Sequence, residues 1–390
     1  MQKAEIVIIG GGVIGASVAY HLAERGVRDI LILESAQEQG LGSTGAATGG
    51  IRAQFETEIN IRMSLYSLDF FRNWSYDCGY EPKGYLFFAT DEVQFDYLSA
   101  NVSKQRSLGV QDVELVDSQQ IAEIVPGINC DDIVGGTFGK HDGFVDPLAI
   151  MHGFTAGAVE RGARIQLNAT ALAINVEGRR VRSIETQDGN IECETAVICN
   201  GAWAGSLAGT AGIDLPVQGQ RRQIVWGRTG EHLPADLPMV IDLGCGFHFR
   251  PARDFRGGDC DPSREVIFAY PDPQEPPSMN CEFDPSIVTA VTEKAHGRAK
   301  FLQDMEIMPE KCRAGLYENT PDHHAILGGC DVEGLFLAVG FSGHGVMHSP
   351  ATGRALAEII LDGKAGFMDV SELSIDRFRT GKLLHETAFI

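Results

Sequence analysis

Apolar runs and helical spacing alternate at the start of the chain. Ile6–Ile9 is β-branched with no polar position, which predicts a strand buried on both faces. Gly10-Gly11-Gly12-Val13-Ile14-Gly15 follows. Residues 16–25 then place Val18, Ala19 and Leu22 on one side of a helix that Gly26 ends. Ile30–Leu33 predicts a second buried strand. Strand, helix and strand form a βαβ unit, and a parallel sheet follows from it.

Further along, the period shortens. A strand is predicted at 85–89, a short helix at 117–124 and a helix at 149–160 stopped by Gly162. Short strands fill 164–200, with a tight turn at Asp188-Gly189, and end in the apolar run 196–199 before Asn200-Gly201. Residues 216–273 are strand-rich and broken by prolines and glycines, with strands at 220–227, 239–241, 246–250 and 266–270. A helix is predicted over 285–302. The last third returns to a strand at 335–339, a glycine-rich loop at 340–345 and a helix at 350–361. This order predicts an α/β (α+β) fold with interleaved domains. Nucleotide-domain character covers 1–82, 145–215 and 308–390, and strand-rich segments at 83–144 and 216–307 fill the gaps.

Composition narrows the partners. The 390 residues suit one or two domains, and 44% hydrophobic with 22% charged residues is a globular balance. A net charge of −21 argues against nucleic acid or an anionic membrane as the main partner. No apolar run approaches the roughly 20 residues of a membrane span, and the N-terminus lacks the pattern of a signal peptide. Nine cysteines, an odd number with no C-x-x-C pair, argue against a disulfide scaffold or a metal site, so a cytoplasmic protein without metal is expected.

Gly10-x-Gly12-x-x-Gly15 between strand and helix is a dinucleotide fingerprint, with Val13 and Ile14 at the helix start beside the pyrophosphate. Glu34, at the end of the second strand, is placed to accept hydrogen bonds from a ribose diol and argues against a 2′-phosphate. The stretch 42–52 (Gly42, Ser43, Thr44, Gly45, Ala46, Ala47, Thr48, Gly49, Gly50, Ile51, Arg52) is too rich in small residues to build a core. It suits backbone passing close to a flat polar group, against the alternative of a mobile linker. The loop with Gly343, His344 and Gly345, followed by Val346 and Met347, leads into the helix near Pro350, whose N-terminus favours negative charge such as that of a reduced flavin, against the alternative of a simple strand-to-helix loop.

These motifs resemble the D-amino-acid-oxidase superfamily of FAD-dependent oxidoreductases, and most closely the sarcosine oxidases, their β subunits and the β subunits of L-proline dehydrogenases. The likeness runs nearly end to end. It also rests on residues 142–147 (DGFVDP), 200–203 (NGAW) and 315–322 (GLYENTPD). It implies an FAD-binding domain joined to a substrate domain with a large, mostly antiparallel sheet. The implied reaction oxidises an amino acid's C–N bond to an imine by hydride transfer to flavin N5. Arg52 matches the arginine that holds the substrate carboxylate, a task suited to a guanidinium fork. Tyr317 resembles the tyrosine of the same pocket and stands where glycine oxidases carry an arginine, which points to secondary or tertiary amines such as sarcosine, dimethylglycine or proline. His248 is expected to project into the pocket, with a structural role as the alternative, and Val176, Gly201 and Trp203 are expected against the cofactor.

Three departures qualify the likeness. Gly315 stands where monomeric sarcosine oxidases attach FAD through a cysteine, so non-covalent FAD is expected. Met347 and Ile267 replace lysines of those enzymes, which favours an electron acceptor other than oxygen and leaves partner subunits open. The alternatives are oxidation of a 2-hydroxy acid or D-amino acid on the same fold, an NAD enzyme, or a non-catalytic assembly subunit.

Overall fold

In the computed structural model, which describes residues 2–387, Ile6–Ile9 and Ile30–Leu33 lie side by side in parallel register, Val7 opposite Leu31 and Ile9 opposite Leu33. They are the middle of a six-stranded sheet ordered Ile326–Gly329, Leu335–Val339, Thr195–Ile198, Ile6–Ile9, Ile30–Leu33, Arg164–Gln166. All its neighbours are parallel except the first pair. Burial on both faces explains the lack of polar positions in the central strands. Ile6, Ile8, Ile30 and Ile32 pack with the helices Val13–Glu24, Pro147–Glu160 and Gly345–Asp362. Val7, Ile9, Leu31 and Leu33 face Ile174, Val181 and Ile184 of a meander formed by Ala171–Glu177, Arg180–Thr186 and Gly189–Glu192.

The second layer is a nine-stranded sheet running from Glu306–Ile307 through Gln218–Arg228, Glu265–Ala269, His248–Pro251, Met239–Asp242, Tyr85–Ala89 and Gly135–Gly139 to Val113–Val116. Its pairs are antiparallel except Met239–Asp242 with Tyr85–Ala89. The period-2 pattern separates its faces. Leu86, Phe88, Val240 and Phe249 pack under the helix Ile287–Arg298, while Tyr85, Phe87, Met239 and Ile241 form the other face.

Three sequence expectations change. The strand Arg313–Asn319 pairs with Gln218–Arg228, so the last stretch expected in the cofactor domain also feeds the large sheet. Its mixed polarity gave no strand signal. The helix expected at 285–302 is Ile287–Arg298, followed by a separate turn at Lys300–Leu302. The final helix begins at Gly345, with Pro350 inside it. Proline lacks the N–H that would reach Val346, and the Ser349 hydroxyl donates to the Val346 carbonyl instead, at 2.8 Å. Helices Glu58–Asn73 and Glu92–Ser107 had no expectation at all. No helix among the described residues is long and apolar enough to cross a membrane.

Candidate active site

A cavity of about 690 Å³ lies where the two large sheets face each other, within the roughly 300–1,000 Å³ typical of ligand sites. At one end it is lined by Gly10, Gly12, Val13, Ile14 and Glu34. A Cβ on Gly15 would stand 2.0 Å from the Gly10 carbonyl oxygen. Gly15 therefore serves the tight turn from behind and is not part of the lining. The Glu34 carboxylate accepts the amides of Gly11 at 3.2 Å and Ala36 at 2.9 Å, which fixes its direction.

Residues 42–50 form the next wall. The Val13 amide donates to Thr44 Oγ1 at 3.1 Å, and the Ser43 hydroxyl donates to the Leu316 carbonyl at 2.7 Å. This stretch is thereby pinned between helix and large sheet rather than behaving as a linker. Gly42, Ser43, Thr44 and Thr48 line the cavity, whereas Ile51 is fully buried in the core behind it. Arg250, itself fully buried, donates Nε to the Thr48 carbonyl at 2.9 Å and holds the stretch from the sheet side. Gly201 and Trp203 also line the cavity. Val176 does not. It packs into the core between the parallel sheet and the meander, and Ala169, Thr170, Ala171 and Leu172 take the place expected for it.

At the other end the chemistry concentrates. Arg52 is 3% exposed, donates from Nη1 to the Gln54 carbonyl, and lies 3.9 Å from the Phe55 ring centroid and 5.2 Å from that of Phe87. Burial lowers its pKa from the ordinary arginine value, against the raising effect of Glu386. Beneath it, Asp142 accepts the Ala53 amide at 2.8 Å and Gln54 Nε2 at 2.9 Å, and burial raises its carboxyl to about 7. Tyr317 and His248 line the same end. Burial lowers His248 to about 4. Its Nδ1 lies 2.8 Å from the Gly246 carbonyl, which can only accept, so Nδ1 carries the proton and Nε2 of the neutral ring is an acceptor.

Gly343, His344, Gly345, Val346 and Met347 close the lining at the N-terminus of the last helix. Desolvation keeps His344 well below the usual histidine range, so the ring at the positive end of this helix is neutral. Among the lining residues that sequence reasoning passed over are Tyr85, Arg222 and Glu318. Glu318 lay inside the stretch 315–322 already singled out. Tyr85 and Arg222 sit in runs of like residues, YLFFA and QRRQ, so no alternation singled them out.

The glycine cradle, the oriented Glu34 carboxylate and the cavity's size fit a flavin dinucleotide. Comparison with known proteins agrees. The family model described as FAD dependent oxidoreductase matches residues 5–359. The chain is 30% identical to FAD-dependent oxidoreductase domain-containing protein 1 of Xenopus laevis, over 97% of this chain and 83% of that protein. It is 27% identical to the mitochondrial dimethylglycine dehydrogenase of Homo sapiens, over 97% of this chain and 44% of that one. The crystal structure of L-proline dehydrogenase from P. horikoshii superposes with a TM-score of 0.89 at 26% identity, covering 98% of this chain and 100% of that chain.

Proposed function

The chain belongs to the FAD dependent oxidoreductase family, and on that premise we propose that it oxidises the C–N bond of a secondary amino acid to an imine, or of a tertiary one to an iminium ion. The observation that carries this reading is Arg52, a buried guanidinium facing a cavity shared with Tyr317 and a neutral His248. Arg52 holds the substrate carboxylate, with its plane set by Phe55 and the Gln54 carbonyl. Asp142 keeps the 52–54 backbone in place through Ala53 and Gln54. The substrate is taken as the neutral amine, whose lone pair is free when the carbon–hydrogen bond breaks, and His248 Nε2 accepts a hydrogen bond from any N–H it carries. Bound FAD supplies the two-electron acceptor for the hydride that leaves carbon.

Gly10, Gly12, Val13 and Ile14 would hold the cofactor's pyrophosphate, Glu34 its ribose, and the Gly345 helix its electron-rich edge. The cofactor is held without a covalent bond. Gly315 carries no nucleophile, and a Cβ there would stand 2.6 Å from that of Ala46. Cys312, the nearest thiol in sequence, is engaged with the Met308 carbonyl at 3.5 Å and the Trp226 amide at 3.3 Å.

The test is anaerobic titration of the purified yellow protein with sarcosine, dimethylglycine, L-proline, D-proline and a 2-hydroxy acid. Bleaching by an amine supports the reading, and admitting air then reports whether oxygen is the acceptor. Bleaching by the hydroxy acid alone would overturn it.

A further inference from the structure

Arg222 is a second guanidinium in the cavity, and the reaction described above leaves it without a task. It lies on the strand Gln218–Arg228, opposite Gly315 in register, and its Cζ stands 5.2 Å from the Tyr317 ring centroid. The neighbouring Arg221 shows what an arginine on this strand does when it faces away from the cavity. It is paired with Glu275 at 2.9 Å and Asp284 at 3.6 Å. Alternation along the strand turns Arg222 to the other face, into the cavity. There it donates from Nη1 to the Arg221 carbonyl at 3.1 Å, and no carboxylate among the described residues lies within 4.0 Å of it.

A half-buried guanidinium without a counter-ion is costly, and an anion in the cavity would relieve it. The flavin's charged groups are assigned to other residues, its pyrophosphate to Gly10, Gly12, Val13 and Ile14 and its electron-rich edge to the Gly345 helix, which leaves the Arg222 charge for a second anion. Arg222 stands over the Tyr317 ring, and both line the same cavity as Arg52. Two guanidinium groups thus share one cavity inside a chain whose net charge is −21.

We propose that Arg222 forms a second carboxylate subsite and that the substrate is an amino acid bearing two carboxylates, one held by Arg52 and the other by Arg222. This rests on the assignment of Arg52 as the anchor of the first carboxylate. A planar fork selects a carboxylate bidentately, so the second acid group lies on the nitrogen substituent or on the side chain.

Equilibrium binding of unreactive anions to the FAD-loaded protein tests this without turnover. Acetate, propionate, malonate, succinate and glutarate are titrated against the flavin spectrum of the wild type, Arg222→Gln and Arg222→Lys. At least one dicarboxylate should bind the wild type tenfold or more tightly than acetate and propionate. That ratio should fall below threefold in Arg222→Gln and be partly restored in Arg222→Lys. In turnover, N-carboxymethylglycine or N-methylglutamate should bleach the flavin at lower concentration than sarcosine. Equal affinity for mono- and dicarboxylates, or a dicarboxylate preference that survives Arg222→Gln, would overturn the proposal. So would loss of flavin in both variants, since Arg222 would then serve the cofactor. Failure of every amine to bleach the flavin, with the dicarboxylate preference intact, would instead count against the amine reading and leave the two-anion site standing.

Discussion

Glu318 accepts the backbone amide of Gly340 at 3.0 Å, and its own carbonyl accepts that of Ser342 at 3.2 Å. A strand of the large sheet thereby holds the loop that opens the helix at the flavin end of the cavity. Burial raises the Glu318 carboxyl from 4.5 to about 7. The folded state therefore keeps this proton more tightly than the unfolded chain. The contribution to stability is complete below pH 4.5 and is lost as pH rises to about 7. Asp142, raised from 3.8 to about 7, acts with the same sign. Urea midpoints measured from pH 4 to 8 should fall across this window in the wild type. In Glu318→Gln, whose amide oxygen still accepts from Gly340, the fall should shrink to the part due to Asp142. An unchanged slope would remove Glu318 from the account.

Gly343 has φ +93°, and a Cβ there would stand 2.5 Å from Tyr317 Cε2. Gly343→Ala should cost about 1–2 kcal/mol for the backbone alone and push the Tyr317 ring out of its place. Gly257, at φ +80° with open space around it, is the control, since alanine there meets only the backbone cost. Thermal melts should show both variants destabilised. Only Gly343→Ala should also lose affinity for the amine that bleaches the flavin. Matching substrate affinities in the two would refute the steric argument.

The cofactor end of the fold was legible because local rules and tertiary structure agree there. A buried parallel strand, a glycine turn and an acid at the next strand end are encoded within Ile6 to Glu34, and each follows from short-range sterics. The substrate end was legible only in part. Arg52 stood beside a recognisable glycine run, but Arg222 is one of two adjacent arginines. Only the register of Gln218–Arg228 against Arg313–Asn319 decides which of them enters the cavity. Pro350 misled for a related reason. A proline reads locally as a helix start, and the compensating Ser349 hydroxyl is visible only once the helix is built.

Asp322 and Arg377 form a two-pronged ion pair, Nε to Oδ2 at 2.7 Å and Nη2 to Oδ1 at 2.9 Å, with side chains 1% and 3% exposed. Arg377 also donates to the His324 carbonyl at 2.7 Å, so the pair fastens the last short helix, Asp376–Thr380, to the loop after Arg313–Asn319. Removing one partner leaves a buried charge, and Asp322→Leu should cost about 3–5 kcal/mol. The double variant Asp322→Leu with Arg377→Met should lose less than Asp322→Leu alone. Urea unfolding of the three proteins decides it, and additive losses would show that the pair is not coupled.

Glu386 serves the helix Glu58–Asn73 from the far end of the chain. Its carboxylate accepts the amides of Glu56 at 2.6 Å and Thr57 at 3.1 Å, the Thr57 hydroxyl at 2.9 Å and Asn60 Nδ2 at 3.2 Å. Thr57, at the N-cap position, makes no capping bond with its own side chain, and Glu386 instead anchors the two residues that lead into the helix and sets a negative charge at its N-terminus. Glu386→Ala should therefore destabilise the protein by about 1.5–3 kcal/mol, as loss of hydrogen bonds to a charged group does. The same carboxylate is the strongest of the charges that favour protonated Arg52. It therefore also offsets the positive potential that a substrate carboxylate meets there. Glu386→Gln, which keeps an acceptor but removes the charge, should lose less stability than Glu386→Ala and bind acetate more tightly than the wild type. The gain should fade at 1 M salt, where the screening length is about 3 Å. Weaker acetate binding in Glu386→Gln would show that the tail positions Arg52 rather than competing with its ligand.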